Sequence, residues 1–307
     1  MSVQAHIFVS WYNIRRKLDG GDIVKARRRT LVLLSSLLVL LLSVLFFFYI
    51  RADIWFYIED TLRLYPAPSI EKTNVTEGEE WTLEELEKKE NVTVSTALML
   101  VNSTHPLPNG YEAEITDYNG AKMHPLMVQP YISLRDRVEK DTRVRIYVSS
   151  DFRTREEQEE IIAESEEGTA APLGCSEHEA GLALDVYAPY FAGGEFLRSP
   201  AGRAVNRLCS QHGFIIRYPR GKEDITGIAY EPWHLRYVGI PHAEIMTEAG
   251  LVLEEYLALL TPEQWFAHGD CLILRTSQTD VLLPSGWKSC ELSPDNTGYT
   301  VITLKMS

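Results

Sequence analysis

The chain has 307 residues, 45% of them hydrophobic, which is enough for one or two domains with a packed core. Its formal net charge is −13 at neutral pH. A chain this acidic, without a basic patch and interleaved aromatic residues, is a poor candidate for binding nucleic acid, so no nucleic-acid partner is expected.

The N-terminal region predicts a membrane anchor. Thr30 to Ile50 contains no charged residue, is rich in Leu, Val and Phe, and is long enough to cross the roughly 30 Å hydrocarbon layer as a helix. Residues 1–29 carry a net +5 and leave −18 for the rest of the chain. The positive-inside rule therefore predicts that residues 1–29 are cytoplasmic and that everything after the span, beginning with Arg51, is extracytoplasmic.

A cleaved signal peptide is the alternative for this segment. The apolar part of a signal peptide is usually about 7–15 residues long and is followed by small residues. This apolar run is longer, and it ends in the bulky residues Phe46 to Ile50. An uncleaved single-pass anchor is therefore favoured.

Residues 51–95 are predicted to form a stalk. Pro66 and Pro68 interrupt the segment, and a glutamate-rich run follows. Thr82 and Glu85 have the spacing of a capping box, which predicts a brief helix. The simplest interpretation is a solvated spacer that lifts the following domain off the membrane.

A strand followed by a helix presents the next candidate residue, Arg153. Val144 to Val148 alternates as a strand does, and a helix is predicted from a Thr154 cap to Gly168. An arginine at this turn is either a surface charge or a clamp for a carboxylate, which a guanidinium binds in a bidentate manner. The sequence pattern alone leaves both interpretations open.

The stretch from Ser176 to Asp185 and the segment from Glu231 to His234 predict a metal site. Between Gly181 and Tyr187, apolar residues alternate with others, so a strand would bury the apolar set and turn Asp185 to the other face. His178, Asp185 and His234 then offer three ligands to a zinc ion and leave one position for water. Glu231 is a spare carboxylate that can accept a proton from that water. Each residue alone is ordinary, but buried imidazoles and carboxylates need partners, and one metal supplies them all.

The C-terminal half continues with helices and then short strands. A helix from Ser199-Pro200 to Gly213, a strand Phe214 to Tyr218, and helices at Pro241 to Gly250 and Leu253 to Leu260 are predicted. Residues 261–307 read as a small β appendage that either packs on the preceding domain or presents a surface to the cell wall. Packing is the simpler expectation.

The four cysteines all lie on the predicted outer side, where disulfides persist. Pairing of Cys175 with Cys209 and of Cys271 with Cys290 is favoured, because each pair lies within one subregion of the chain.

The motifs resemble those of the VanY-type D-alanyl-D-alanine carboxypeptidases, which belong to the LAS zinc peptidases. The resemblance covers residues 96–260. It rests on matching segments at Leu98 to Asn102 with Pro106 to Pro108 and Tyr111, Ser150 to Thr154 with Gln158, Ser176 to Asp185, and Glu231-Pro232-Trp233-His234-x-Arg236-Tyr237. Two residues depart from the family pattern, since Asp151 stands where glycine is usual and Phe152 replaces tyrosine.

The resemblance implies an α+β fold of the LAS/D,D-peptidase (hedgehog-like) type, a small antiparallel sheet flanked by helices. It implies one catalytic Zn²⁺ on His178, Asp185 and His234, with Glu231 as the base. It also implies substrate contacts from Arg153 and Ser176 and, more weakly, from Gln158.

The implied substrate is a peptidoglycan stem peptide or lipid-linked precursor that loses its last D-alanine, which suits a protein anchored at the bacterial cell surface. An L,D-carboxypeptidase or a wall endopeptidase of the same superfamily stays open. From another class, an inactive wall-binding or sensor ectodomain is the alternative, although such a module has no need for Glu231.

Overall fold

The computed structural model describes residues 6–12, 21–164 and 170–306. It comprises two compact units, Met1–Thr61 and Leu62–Ser307. Three of the basic residues on which the predicted orientation of the span rests, Arg15, Arg16 and Lys17, lie outside the described residues.

The first unit is helical. Helix α1 (Gly21–Ile50) continues after one residue into α2 (Ala52–Leu62). The segment Lys25–Ile50 is long and apolar enough to cross a membrane, by length and composition. Its serine hydroxyls at Ser35 and Ser43 donate to helix carbonyls one turn earlier, so the segment satisfies its own polar groups, as a span in lipid must.

The second unit mixes helices with sheets whose strands are antiparallel except for the parallel pair β13-β3. Its helices are α3 (Leu83–Glu87), α4 (Pro125–Thr142), α5 (Arg155–Glu164), α6 (Pro200–Leu208), α7 (Glu223–Thr226), α8 (His242–Ala249) and α9 (Leu253–Leu259). Its strands are β1 (Glu71–Thr73), β2 (Glu79–Thr82), β3 (Val92–Val94), β4 (Thr116–Tyr118), β5 (Ala121–Met123), β6 (Tyr147–Ser150), β7 (Ala183–Tyr187), β8 (Phe214–Tyr218), β9 (Glu231–Tyr237), β10 (Trp265–His268), β11 (Cys271–Thr276), β12 (Asp280–Leu283), β13 (Trp287–Pro294) and β14 (Thr300–Met306).

A four-stranded antiparallel sheet with the order β6-β7-β9-β8 lies at the centre of the predicted catalytic region. One face of it packs on helices α4 and α6 through a fully buried cluster that includes Leu134, Leu184, Val186, Val205 and Leu235. Burial of each such side chain contributes about 1.5–3 kcal/mol. The alternation read from the sequence therefore correctly placed Leu184 and Val186 in the core.

The start of strand β6 differs from the predicted one. Strand β6 begins at Tyr147 rather than Val144, although Ile146 is buried as the pattern requires. Strand β9 begins at Glu231, so Glu231 and His234 lie on the same strand. The Thr154 cap is confirmed by reciprocal bonds with Glu157, whereas the predicted end of that helix at Gly168 falls outside the described residues.

A second group of strands corrects the prediction of a solvated stalk. Strands β1 and β3 lie at the two edges of a six-stranded sheet, β1-β10-β11-β14-β13-β3, and β2 pairs with β12. The glutamates lie on exposed positions, while Leu86 and Trp81 pack into an apolar cluster with the C-terminal strands. We call residues 71–94 together with 265–306 the β unit. The capping box at Thr82 is confirmed.

The β unit packs against the preceding domain, which was the simpler expectation for the C-terminal strands. Ile215, Met246 and Tyr256 share one buried cluster with Ile273 and Val301 of the β unit. The buried ring of His242 adds a polar link, with Nε2 lying 2.9 Å from Thr303 Oγ1.

The predicted disulfides are absent, and all four cysteines, each within the described residues, are free and buried. Cys271 on β11 lies opposite Lys305 of β14, and Cys290 on β13 lies opposite Leu304 of β14. The two cysteines therefore belong to strands that flank β14 on opposite sides. Two inter-strand spacings of about 4.8 Å separate them, which exceeds the roughly 7 Å that a disulfide can bridge. Cys209 lies in the core beneath the four-stranded sheet β6-β7-β9-β8, whereas Cys175 belongs to the loop that carries His178.

Candidate active site

Strand register brings the candidate side chains into one row. Ser150 on β6 pairs with Asp185 on β7, and Asp185 pairs with His234 on β9. Directly opposed residues on neighbouring strands project to the same face, with Cβ atoms about 4.5–5.5 Å apart. The sheet therefore holds Asp185 and His234 together although 49 residues separate them in the sequence.

His178 reaches the same row from a tight loop. The loop is closed by backbone hydrogen bonds from Glu179 N to Ser176 O and from Gly181 N to His178 O. Gly181 has φ +72°, and a Cβ there would lie 2.5 Å from Ile115 Cδ1. Glycine is thus required at the point where the chain turns from the loop into β7.

The three predicted ligands converge. Their donor atoms all lie within 4.8 Å of one another. Asp185 Oδ1 is 3.6 Å from His178 Nε2 and 3.1 Å from His234 Nδ1. The two imidazole rings meet edge to face, with centroids 4.9 Å apart.

The chemistry of this donor set fits a divalent cation. Asp185 Oδ1 is buried and receives no hydrogen bond of good geometry from any described residue, although His234 Nδ1 lies 3.1 Å away. His178 Nδ1 lies 2.8 Å from the carbonyl oxygen of Asp151 and must donate to it, which leaves Nε2 as a lone-pair donor facing the cluster. Two imidazole nitrogens and one carboxylate oxygen form the set that a catalytic zinc site uses.

The pKa values of the residues in this cluster depend strongly on one another. Burial alone would raise the pKa of Asp185 and lower that of His234, but the contact between them reverses both effects. The pKa of the Asp185 carboxyl lies far below its usual range, and that of His234 rises to about 9. Burial lowers the pKa of His178. Without a metal the cluster therefore holds one proton on His234, which a cation would have to displace.

Glu231 reaches the cluster because β9 bulges. Two steps along β8, from Ile216 to Tyr218, correspond to four steps along β9, from Leu235 back to Glu231. In a regular strand residues three apart face opposite sides, but the bulge brings Glu231 Oε2 to 3.7 Å from His234 Nδ1. Burial raises the pKa of the Glu231 carboxyl, which makes it a stronger base.

Arg153 lies beside the row and is held by neutral partners. Its Nη1 donates to Gln158 Oε1 at 2.6 Å, and its Nη2 donates to Ser150 Oγ at 3.0 Å. Burial lowers the pKa of Arg153, and no described carboxylate forms an ion pair with it. The guanidinium thus keeps its charge available for an anionic or carbonyl group of a ligand.

Gln158, predicted more weakly as a substrate contact, is buried beside Arg153. It is 1% exposed, and its amide donates to the Ala171 carbonyl at 2.7 Å. Its Oε1 accepts from Arg153, an arrangement that can orient the guanidinium, and its contact with a substrate stays a prediction. Ser176 is also buried, and its hydroxyl accepts from the backbone N–H of His178, so its contact with a substrate stays a prediction.

The unusual Asp151 takes part in the local structure. Its side chain accepts from Lys122 N at 2.6 Å, while its carbonyl accepts from His178. The departure from the family's glycine therefore leaves the loop able to orient the first imidazole.

Sequence reasoning missed Glu177. This residue is 1% exposed, and its Oε2 lies 3.4 Å from His234 Nε2, on the side of the ring away from Asp185. Its Oε1 accepts from Arg217 Nε and from Arg236 Nη1, both at 2.7 Å. Although burial opposes it, the two guanidiniums hold the pKa of Glu177 well below its usual range. Glu177 is therefore an ionised carboxylate that fixes the orientation of His234.

The charges around Glu177 extend into a buried network. Arg217 donates through both terminal nitrogens to Glu254, at 2.9 and 2.7 Å. Arg236 donates to the carbonyls of Ala97 and Met99. The sequence signal was an arginine within the apolar run Phe214 to Tyr218 and another between Leu235 and Tyr237, because an arginine buried in a strand needs a carboxylate to face it.

Comparison with known proteins agrees with this geometry. Residues 120–240 match the family described as VanY, D-alanyl-D-alanine carboxypeptidase. The chain is similar to a D-alanyl-D-alanine carboxypeptidase of Enterococcus faecium, with 33% identity over 184 residues, but these cover 54% of this chain and only 59% of that protein. It is also similar to VanXYC of Enterococcus gallinarum, a bifunctional D-Ala-D-Ala dipeptidase and D-Ala-D-Ala carboxypeptidase, with 34% identity over 181 residues, 52% of this chain and 92% of that protein.

A solved structure supports the fold assignment. The D,D-dipeptidase VanXYg, in complex with a D-Ala-D-Ala phosphinate analog, aligns with a TM-score of 0.58 and 26% identity, over 76% of this chain and 98% of that one. The predicted α+β fold of LAS type is thereby confirmed.

Proposed function

Because the chain belongs to the VanY family of D-alanyl-D-alanine carboxypeptidases, we propose that it removes the C-terminal D-alanine from peptidoglycan stem peptides or their precursors. The observation that carries this proposal is the convergence of His178, Asp185 and His234 next to Glu231. The similar bifunctional enzyme VanXYC supports the same substrate chemistry.

We propose zinc as the resident cation, held by His178, Asp185 and His234. The orphaned, buried oxygen of Asp185 and the imidazole nitrogens that face it support this assignment. When bound, zinc acts as a Lewis acid toward a carbonyl and makes water a stronger acid.

The protein's own residues supply the remaining chemistry. Glu231, with its raised pKa, takes a proton from the attacking water and delivers it to the amine that leaves. Arg153 holds the terminal carboxylate or the neighbouring carbonyl of the peptide, and Ser150 and Gln158 keep its guanidinium in place. Glu177 holds the ring of His234 from behind.

For the whole chain, we propose a single-pass anchor at Thr30 to Ile50, with residues 1–29 in the cytoplasm and the domain beyond residue 51 outside the cell. The 26-residue apolar helix Lys25–Ile50 supports the span by length and composition. The excess of basic residues before it supports the orientation.

The decisive experiment replaces Glu231 by Gln in the full-length protein purified in detergent. We expect Glu231→Gln to keep zinc but to release D-alanine from a pentapeptide at least about a hundredfold more slowly. Zinc content is measured by elemental analysis, and the released amino acid is identified by mass, with and without chelator.

The same assay separates the alternatives. Release of D-alanine from tetrapeptides but not pentapeptides would indicate an L,D-carboxypeptidase, and cleavage only of cross-linked peptides would indicate an endopeptidase. A zinc-loaded wild type that cleaves none of these peptides would indicate a binding or sensor ectodomain and would overturn the proposal.

A further inference from the structure

A cleft lies between the β unit and the preceding domain. It has a volume of about 520 Å³. One wall comes from Thr96, Met99 and Tyr111, and the other from Gln278 and Tyr299 of the β unit. The family match covers residues 120–240, so both walls lie outside the part of the chain that the family describes.

The cleft is lined by uncharged residues. Among the described residues that line it, none carries a formal charge, although 24% of the chain is charged. The lining instead offers hydroxyl and amide groups, as in Thr96 and Gln278, beside the aromatic rings of Tyr111 and Tyr299. Polar groups for orientation and ring faces for apolar contact suit a neutral, hydroxylated ring such as a sugar.

Tyr299 is held in place as a flat contact surface. The guanidinium of Arg275 lies 4.1 Å from its ring centroid and covers one face. Arg275 is itself fixed by Asp295 and by Thr297, each at 2.6 Å. A ring anchored on one face presents its other face without loss of side-chain entropy when a ligand binds.

The cleft adjoins a second cavity that reaches Arg153. Pro108 and Tyr111 line both this cleft and a second cavity of about 370 Å³ whose wall includes Phe152 and Arg153. The hydroxyl of Tyr111 donates to the carbonyl of Ala180, in the loop that carries His178. A ligand bound near Arg153 that extends past Tyr111 would therefore meet the uncharged cleft.

We propose that this cleft binds an N-acetylated sugar of the peptidoglycan, so that the enzyme prefers stem peptides still attached to their glycan. The inference rests on the proposed function for the choice of substrate. A stem peptide carries ammonium and carboxylate groups that an uncharged cleft cannot neutralise, whereas an N-acetylated sugar is neutral and offers hydroxyl and amide groups.

The test compares a free pentapeptide with the same pentapeptide attached to its disaccharide, using the full-length protein in detergent. We expect a kcat/KM about tenfold higher for the disaccharide form, which corresponds to about 1.4 kcal/mol. Gln278→Trp, which fills the cleft from an exposed position, and Tyr299→Ala should remove this preference and leave the free peptide unaffected. Tyr190→Ala changes a tyrosine that is 99% exposed and does not line the cleft, and it should keep the preference.

Direct binding provides an independent readout. Chitotetraose, a chain of four N-acetylglucosamine units, should show saturation-transfer NMR signals with the wild type that Gln278→Trp abolishes. Equal rates on both substrates and no chitotetraose signal would overturn the inference, as would a preference for cross-linked peptides over the disaccharide form. If no peptide is cleaved, the proposed function fails, while the NMR experiment still decides whether the cleft binds sugar.

Discussion

Replacing Glu177 by Gln tests whether this carboxylate positions the metal site. The change removes the negative charge next to His234 Nε2 but keeps the size of the side chain. Loss of such an outer partner typically costs 10–100-fold in metal affinity, which is about 1.4–2.7 kcal/mol. We therefore expect Glu177→Gln to bind zinc 10–100-fold more weakly.

Stability must be separated from positioning, because Glu177 also neutralises two buried arginines. Breaking a buried ion pair typically costs about 3–5 kcal/mol. Arg217 keeps Glu254 as a second partner, but Arg236 keeps only the carbonyls of Ala97 and Met99, so we expect the upper end of that range. Glu254→Gln is the matched control, because it removes a charge from the same network without touching His234. It should lower stability less, because both arginines keep Glu177, and it should leave zinc affinity unchanged.

The assay combines zinc competition against a chromogenic chelator with urea unfolding of each variant. Equal zinc affinity for Glu177→Gln and Glu254→Gln would refute the positioning role, whatever the two stabilities. A loss confined to Glu177→Gln would support it.

Three further results are expected. Arg153→Lys should lower kcat/KM about 10–100-fold for peptides with a free C-terminus, because an ammonium cannot bind a carboxylate in a bidentate manner; an equal loss on peptide amides would argue against a carboxylate contact. Since the pKa of metal-free His234 is raised to about 9, its proton stays bound below that pH and opposes metal binding. Apparent zinc affinity should thus fall about tenfold per pH unit below pH 9 in chelator competition, and a flat profile would contradict this. Gly181→Ala should lower the free energy of unfolding by about 1–3 kcal/mol in urea titrations, because φ is +72° and the new Cβ meets Ile115; unchanged stability would show that the loop relaxes.

Local patterns predicted the centre of the site because its geometry follows from strand periodicity. The alternation in β7 places Leu184 in the core and turns Asp185 away from it, which could be read without knowing the partner strands. The Thr154 cap could be read in the same way, since its bonds join residues three apart.

Features that depend on distant partners could not be read. The disulfide prediction failed because strand order, which places β14 between Cys271 and Cys290, is not visible from their spacing. The stalk prediction was wrong because it rested on the glutamate-rich composition of residues 51–95. This segment contains three short strands whose partner strands lie about 200 residues further along the chain.

The sequence by itself determined the ligand types, the strand that turns Asp185 outward, and the apolar segment long enough for a membrane. Only the tertiary structure decided that Glu177, within the motif, faces arginines 40 and 59 residues away, and that the β unit closes an uncharged cleft beside the site. The physical reason is range: periodicity and capping act over a few residues, whereas charge pairing and cavity shape depend on which surfaces meet after the chain has folded.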